Sequence, residues 1–124
     1  TITGTDEDEV AQFQPSQTSL RVGTTFAGLN YGLLTLAAEQ AEVTAGTGGT
    51  DLAVIRDTRL VNDALVSAAN TATLTAGASR LARAIDFDRV RAITFLALGG
   101  AETDTSDQNA PTFVVELAGS WTEI

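Results

Sequence analysis

The chain has 124 residues, 44% of them hydrophobic, and this length allows one domain with a single core but not two. It contains no Cys, His or Lys, so the usual zinc ligands, a thiol nucleophile, a Ser-His-Asp triad and a P-loop lysine are excluded. The net charge of −9 would repel phosphate backbones and argues against nucleic acid as a partner.

The chemistry left to this chain is that of carboxylates, hydroxyls and arginine. Two carboxylates can hydrolyse a glycoside, but no acidic pair in the sequence stands in a recognisable catalytic frame. We therefore expect no enzymatic activity, no cofactor and no bound metal. No apolar run approaches the length of a transmembrane helix, so we expect no membrane partner either.

Residues 1–19 are polar, include an acidic run and show no sustained hydrophobic period. We interpret them as an extended N-terminal arm ahead of a β-rich domain that spans residues 20–124. Two interpretations of the arm stay open. It is either a solvated terminus or a segment that docks on a neighbouring subunit, with Val10 and Phe13 as anchors.

The next part of the chain reads mainly as short strands. Alternating apolar and polar residues from Leu20 predict a half-buried strand. Residues 31–36 fit a helix or a strand, and we prefer the strand. The Gly-rich segment 44–50 lacks the Lys of a P-loop and does not match G-x-G-x-x-G, so we interpret it as a flexible hairpin connection to a strand in "DLAVIR".

Residues 57–69 present a conflict between two periods. Apolar residues recur there at helical spacing behind Asp57 or Thr58, either of which can cap a helix. Val61 and Val66 are β-branched, however, and the Thr-rich stretch "NTATLTAG" that follows alternates like a strand. The choice stays open, with a preference for strands because the flanking sequence is β throughout. No repeat of solenoid or propeller period is visible.

The segment "ASRLARAIDFDRVR" predicts a strand followed by a charged turn. Leu81 and Ile85 share one face of this strand, and Arg80 lies on the other face with small residues. The turn places two aspartates beside Arg89 and Arg91. These charges form either local ion pairs or a contact between subunits, because Arg is enriched at interfaces.

The stretch "VRAITFLALGG" is apolar or small on both faces, which is typical of a central strand covered on both sides. A polar loop, "AETDTSDQNAP", separates it from a partner strand at residues 112–117. Trp121 follows as a candidate edge or interface anchor. These elements predict a mainly β fold: a single antiparallel β-sandwich or barrel-like domain behind the arm, with room for one short helix.

The succession "RAIDFDRVRAITFLALGG", a polar loop and "APTFVVELAGSW" resembles a pattern in small structural proteins of tailed-phage virions. The matching elements are an "ID" pair, a strand that ends in Gly, and a "T-F-x-V-E-L" strand. In this sequence they are Ile85 and Asp86, then residues 92–100, then residues 112–117. The resemblance covers about the last forty residues.

This resemblance implies a capsid decoration, or cement, protein. Such a protein is a small β-rich homo-oligomer, with a trimer favoured, that binds the major capsid protein or other virion proteins on the outer capsid surface and braces the lattice. It carries no catalytic, cofactor or metal residues. The interface candidates in this chain are Val10, Phe13, Arg89, Arg91 and Trp121.

Other functions stay open. Among virion proteins, a tail-tube or fibre-adaptor subunit is the closest rival. A carbohydrate- or surface-binding β-sandwich module is the second class, although only Tyr31 and Trp121 would serve as an aromatic sugar platform. A small carboxylate enzyme is the least favoured function.

Overall fold

The structure, a computed structural model, consists of β-strands joined by short connections. Among the residues that it describes there are thirteen strands and no helix, which confirms the prediction of a mainly β fold. The described residues are 2–5, 8–15, 17–22, 32–36, 40–58, 61–77, 80–94 and 103–124.

The strands form a seven-stranded and a six-stranded sheet. The seven-stranded sheet contains β1 (Ile2–Thr3), β5 (Gln40–Thr44), β7 (Asp63–Ala69), β8 (Thr71–Ala76), β9 (Arg80–Ile85), β11 (Asp104–Pro111) and β13 (Trp121–Glu123). The six-stranded sheet contains β2 (Glu9–Gln14), β3 (Gln17–Val22), β4 (Gly32–Leu36), β6 (Leu52–Arg56), β10 (Arg89–Ile93) and β12 (Val114–Ala118). Their spatial orders are β1-β5-β9-β8-β7-β11-β13 and β12-β10-β6-β2-β3-β4.

Most neighbouring strands run parallel, because the chain repeatedly crosses from one sheet to the other. β2, β6, β10 and β12 all point the same way in the six-stranded sheet, with strands of the other sheet between them in sequence. A parallel neighbour requires such a crossover, whereas an antiparallel neighbour needs only a tight turn. The expected antiparallel arrangement is therefore wrong. The sheets are mixed, and neither closes into a barrel.

Three of the parallel pairings have the same spacing along the chain. The pairs β1 with β5, β5 with β9 and β7 with β11 each join residues 41 positions apart, as in Ile2 with Val43. The sequence shows no visible repeat at this spacing. The pairing requires only a small or apolar residue at alternate positions, so residue identities are free to vary.

The inward side chains of both sheets form one hydrophobic core. Its largest fully buried apolar residues are Phe13, Leu20, Ile55, Leu65 and Leu74, and alanines fill much of the space between them. The core is aliphatic, as the composition predicts. The alternation of buried and half-buried residues along β6 and β8 is the pattern of strands with one face on a core.

Most of the described residues of the segment predicted as an arm lie in strands of the two sheets. β1 pairs with β5, and β2 lies between β6 and β3. Ala11 and Phe13 are fully buried, and the boundary predicted at residue 19 falls inside β3. The segment is polar in sequence because Glu9 and Thr18, which are buried, occupy inward positions that an apolar residue would usually hold.

Two predicted connections have a different structure. The polar loop predicted at residues 101–111 contains β11, a strand between β7 and β13. The Gly-rich segment 44–50 links β5 to β6, which lie in different sheets, so it is a crossover and not a hairpin. The conflict at residues 57–69 resolves as a strand from Asp63, and the preferred strand at 31–36 is present as β4.

The described part of the apolar stretch that begins at Val90 lies in β10, which has β6 on one side and β12 on the other. The prediction that both faces of this strand are covered is wrong for its described residues, because Val90 and Ala92 are buried but Arg89 and Arg91 on the other face are exposed. Residues 95–100 of the stretch, and Tyr31, lie outside the described residues. The predicted partner strand is present as β12, and Phe113 and Leu117 pack against the core.

Gly46 provides a test of the crossover between β5 and β6. A Cβ atom at this position would overlap the backbone oxygen of Thr5, and only a backbone shift relieves that contact. We expect Gly46→Ala to lower the free energy of unfolding by roughly 3 kcal/mol. Gly77→Ala is the control: Gly77 has a φ of 54° but open space around it, so only about 1 kcal/mol is expected. Equal urea midpoints for the two variants would contradict the predicted contact.

Candidate functional site

Three buried carboxylates meet where the chain passes from the six-stranded to the seven-stranded sheet. Asp57 follows β6, Asp63 begins β7 and Asp104 begins β11. β7 and β11 are parallel neighbours, which sets their first residues side by side. One carboxylate oxygen from each of the three residues lies within 4.8 Å of the other two. We refer to Asp57, Asp63 and Asp104 as the corner cluster.

Hydrogen bonds hold the carboxylates of the corner cluster in place. The N–H of Asp63 donates to Asp104 Oδ1 at 2.9 Å, and the N–H of Thr58 donates to Asp63 Oδ2. Asp63 is only 1% exposed, and its other oxygen, Oδ1, has no hydrogen-bond partner. A buried acceptor left in this state costs roughly 1–3 kcal/mol. Asp63 Oδ1 is therefore short of a donor or a cation.

Arg80 brings a positive charge to the corner cluster. It is the first residue of β9, faces inward and is 6% exposed. Its Nη1 donates to Arg56 O at 2.6 Å and to Thr58 Oγ1 at 3.1 Å, whereas Nη2 has no hydrogen-bond partner. Burial lowers the pKa of Arg80, and the nearby charges of Asp63 and Asp57 oppose that change. Three carboxylates and one guanidinium leave a formal charge of −2 in this corner.

Burial, together with this excess of negative charge, raises the pKa of Asp63. Burial is the main cause that raises the pKa to about 6, and the charges of Asp104 and Asp57 raise it further. The N–H of Thr58 and the charge of Arg80 lower the pKa but do not cancel the effect of burial. The corner therefore binds a proton more readily than an exposed aspartate does.

A second set of acids lies at the N-terminal ends of β2, β6 and β10 in the six-stranded sheet. The N–H of Glu9 donates to Asp51 Oδ1 at 2.9 Å, and the N–H of Asp51 donates to Asp88 Oδ2 at 2.8 Å. The carboxylate of Glu9 accepts from the N–H groups of Thr5 and Gly46, the latter at 2.9 Å. We refer to Glu9, Asp51 and Asp88 as the acid row. Each of its carboxylates accepts a backbone N–H, so this row stabilises the crossovers.

Both sheets end in C-terminal strands that have a free edge among the described strands. β12 pairs there only with β10 and β13 only with β11. Trp121 Nε1 donates to Ala92 O of β10 at 3.2 Å, a bond that links β13 to the other sheet. Val90 and Ala92 of β10 are fully buried, but Val115 and Leu117, at the matching positions of β12, are only half-buried.

Residues 113–124, which we call the open end, also expose apolar side chains to solvent. Val114 is 56% exposed and Ile124 is 74% exposed. Among the large hydrophobic residues whose side chains the structure describes, only Val66, at 44%, is comparably exposed. The open end is therefore the part of the described surface where free strand edges and exposed apolar side chains coincide.

Three of the five predicted interface residues lie at or beside the open end. Trp121 is half-buried within it, and Arg89 and Arg91 are exposed on the neighbouring strand β10. Arg89 pairs with Glu116 of β12 and not with the aspartates of its own turn. The arginines thus flank the free edge of the six-stranded sheet.

The two predicted anchors in the N-terminal segment lie elsewhere. Val10 is half-buried on β2, and Phe13 is fully buried in the core that both sheets share. Phe13 therefore stabilises this domain and is not available as a docking anchor. Sequence pattern failed here because a buried strand with alternating polar residues looks like a polar arm.

The corner cluster was not found from the sequence. Its members are separated by up to 47 positions, from Asp57 to Asp104, and each stands next to a strand boundary, where an acid is usually a turn or cap residue. Asp57 itself was considered only as a helix cap. The available signal was the spacing of 41 residues between Asp63 and Asp104, which is the spacing of the parallel strand pairs.

Arg80 can be tested for its role in balancing the corner cluster. We expect Arg80→Met to lower the free energy of unfolding by roughly 1–3 kcal/mol, because it removes the donor to Arg56 O and Thr58 Oγ1 and a buried positive charge near the carboxylates. Arg83→Met is the matched control on the same strand, since Arg83 pairs with Glu42 at 3.1 Å near the surface and contributes about 0–1 kcal/mol. Similar losses in urea unfolding for the two variants would show that the charge of Arg80 is unimportant.

The pKa of Asp51 predicts that acid stabilises this fold. Burial is the main cause that raises the pKa from 3.8 to about 6, and the charges of Glu9, Asp88 and Asp8 add to it. Between these pH values the folded state binds more protons than the unfolded state. The free energy of unfolding therefore falls as the pH rises through this window and is lowest above about pH 6.

Asp51→Asn isolates this effect, because it keeps the acceptor oxygen and removes the charge. The variant is expected to be more stable than the wild-type chain at about pH 7.5 and equal to it near pH 3.5. Urea unfolding across this pH range gives the difference directly. A difference that does not vary with pH would rule out titration of Asp51 as its cause.

Comparison with known proteins adds no assignment to these sites. No protein-family model matches the chain, and neither a curated protein nor a solved structure is similar to it. In the part of the chain that the structure describes, no helix has the length and apolar character needed to cross a membrane. Functional inference for this chain therefore depends on the corner cluster, the acid row and the open end.

Proposed function

We propose that this chain is a non-enzymatic structural protein that attaches to a larger assembly through its open end. In the specific form of the proposal it is a capsid decoration protein on the outer surface of a tailed-phage virion, bound to the major capsid protein. The open end supports the attachment. The resemblance of the last forty residues to small virion proteins is the reason for choosing a capsid as the partner.

The single observation that carries this proposal is the coincidence of two free strand edges with exposed apolar side chains. Unpaired N–H and C=O groups on an edge strand are a template for a strand from another chain. Full burial of a Val or Ile side chain contributes roughly 1.5–3 kcal/mol. Val114 and Ile124 therefore provide an apolar contribution to binding beside the hydrogen bonds of β12 and β13.

The remaining features fit an adhesive role. In this proposal the two sheets are the layers of one sandwich, which the shared core supports. Such a body holds β12 and β13 in fixed positions for binding. The net charge of −9 suits a position away from packaged DNA. A sugar platform fits less well, because the indole N–H of Trp121 is already bonded to Ala92 O.

Sedimentation of a native lysate through a density gradient tests the virion role. The chain, followed by mass spectrometry, is expected to migrate with DNA-filled particles, and imaging of those particles then separates a shell position from a tail position. Location on the tail would replace the decoration role with the tail-tube or adaptor role. Recovery only at the top of the gradient would contradict a virion protein.

The open end can be tested with two exposed valines. Val114→Glu places a charge on the free edge of β12, and we expect binding to purified particles to weaken at least tenfold, or by about 1.4 kcal/mol. Val66→Glu is the matched control on the outer face of the seven-stranded sheet, away from its edges, and should bind normally. Circular dichroism checks that both variants fold. Equal binding by both would remove the open end as the attachment surface.

A further inference from the structure

We propose that the corner cluster is a binding site for a hard divalent cation, and that calcium is the ion that fits it. Asp57, Asp63 and Asp104 would each supply one carboxylate oxygen. The proposal does not depend on what the open end binds. It assigns a role to three buried acids that hydrogen bonding within the fold explains only in part.

The number and type of the ligand atoms favour calcium. The three oxygens lie within 4.8 Å of one another, so small shifts let one ion contact all of them. Magnesium demands near-octahedral geometry and is usually held by one or two carboxylates, whereas calcium accepts several carboxylates in a flexible geometry. Carboxylate oxygens without nitrogen or sulfur ligands select hard cations over zinc, and this chain contains neither His nor Cys.

The unpartnered oxygen of Asp63 points independently to a ligand. Asp63 is 99% buried, and Oδ1 has no hydrogen-bond partner, although Oδ2 accepts from Thr58. A carboxylate oxygen in a dry interior requires a donor or a cation. The N–H of Asp63 also anchors Asp104, so the two side chains are held in position before any ion binds.

Arg80 does not take the place of this cation. Its Nη1 is committed to Arg56 O and Thr58 Oγ1, and its guanidinium forms no ion pair with Asp63 or Asp104, both of which the structure describes. The charge of Arg80 offsets one of the three negative charges. The remaining formal charge of −2 equals the charge that one divalent ion neutralises.

The single Trp of the chain provides a direct probe. Trp121 on β13 is the strand partner of Asp104, so an ion in the corner cluster lies close to the indole. Terbium(III), which replaces calcium at oxygen sites, should show emission sensitised by Trp121 in the chelator-treated full-length chain. Calcium should abolish that emission at lower concentration than magnesium. Calcium should also raise the melting temperature in a concentration-dependent way.

Variants locate the ion. Asp63→Asn and Asp104→Asn keep an oxygen acceptor but remove a charge, and each should weaken calcium binding at least tenfold. In chelator both should be as stable as the wild-type chain or more so, because like charges are removed. Asp51→Asn changes an equally buried carboxylate of the acid row, and this matched control should bind calcium normally.

Two results would overturn the proposal. The first is a wild-type chain that shows neither calcium-competed terbium emission nor a melting temperature that depends on calcium. The corner would then be a structural cluster that shares a proton. The second is calcium binding that survives Asp104→Asn or is lost in Asp51→Asn, which would place the ion elsewhere. The wild-type titration and the Asp104 variant decide the matter even if Asp63→Asn does not fold.

Discussion

The structure depends on how it satisfies the backbone at its crossovers. A chain that changes sheets after most strands leaves N–H groups at the strand starts, inside the protein and away from the ladders. Acidic side chains accept these donors: Asp51 from Glu9, Asp88 from Asp51, and Asp104 from Asp63. In each case the accepting acid lies on the next parallel strand, at the register position that matches the donor residue. The sequence separation of donor and acceptor is therefore close to the 41 residues that separate several of the paired strands.

Burying carboxylates has a cost, and the two groups of acids meet it differently. In the acid row, backbone donors reach each carboxylate, including both oxygens of Glu9, and the penalty remains as a raised pKa at Asp51. In the corner cluster the donors are too few, even with the buried guanidinium of Arg80 nearby. Buried carboxylates that accept backbone N–H groups therefore stabilise the crossovers of the acid row. In the corner cluster they leave uncompensated negative charge, and this charge is the physical basis for the proposed cation.

The open end follows from the same architecture. Within a sheet each parallel strand pairs with the next, so β10 is paired along one edge with β12. No strand of the described chain pairs with the outer edge of β12 or of β13. The residues that would be core in an inner strand are half-exposed there. Attachment through this end would extend both sheets at once. The ion-paired Arg89 and the exposed Arg91 stand beside that edge, which is where the sequence placed interface candidates for reasons of composition alone.

The sequence by itself determined the strand content and the aliphatic core, because alternation and apolar runs are local properties of a chain. It also excluded the chemistry of His, Cys and Lys. It did not reveal that Phe13 is core or that residues 104–111 form a strand, because polar inward residues at Glu9, Asp104 and Ser106 mask the alternation. It also did not reveal that the sheets are largely parallel. Only the tertiary structure decided these points and brought Asp57, Asp63 and Asp104 together. Strand order and crossovers depend on contacts between residues about 40 positions apart, and local pattern carries no information about which distant strands become neighbours.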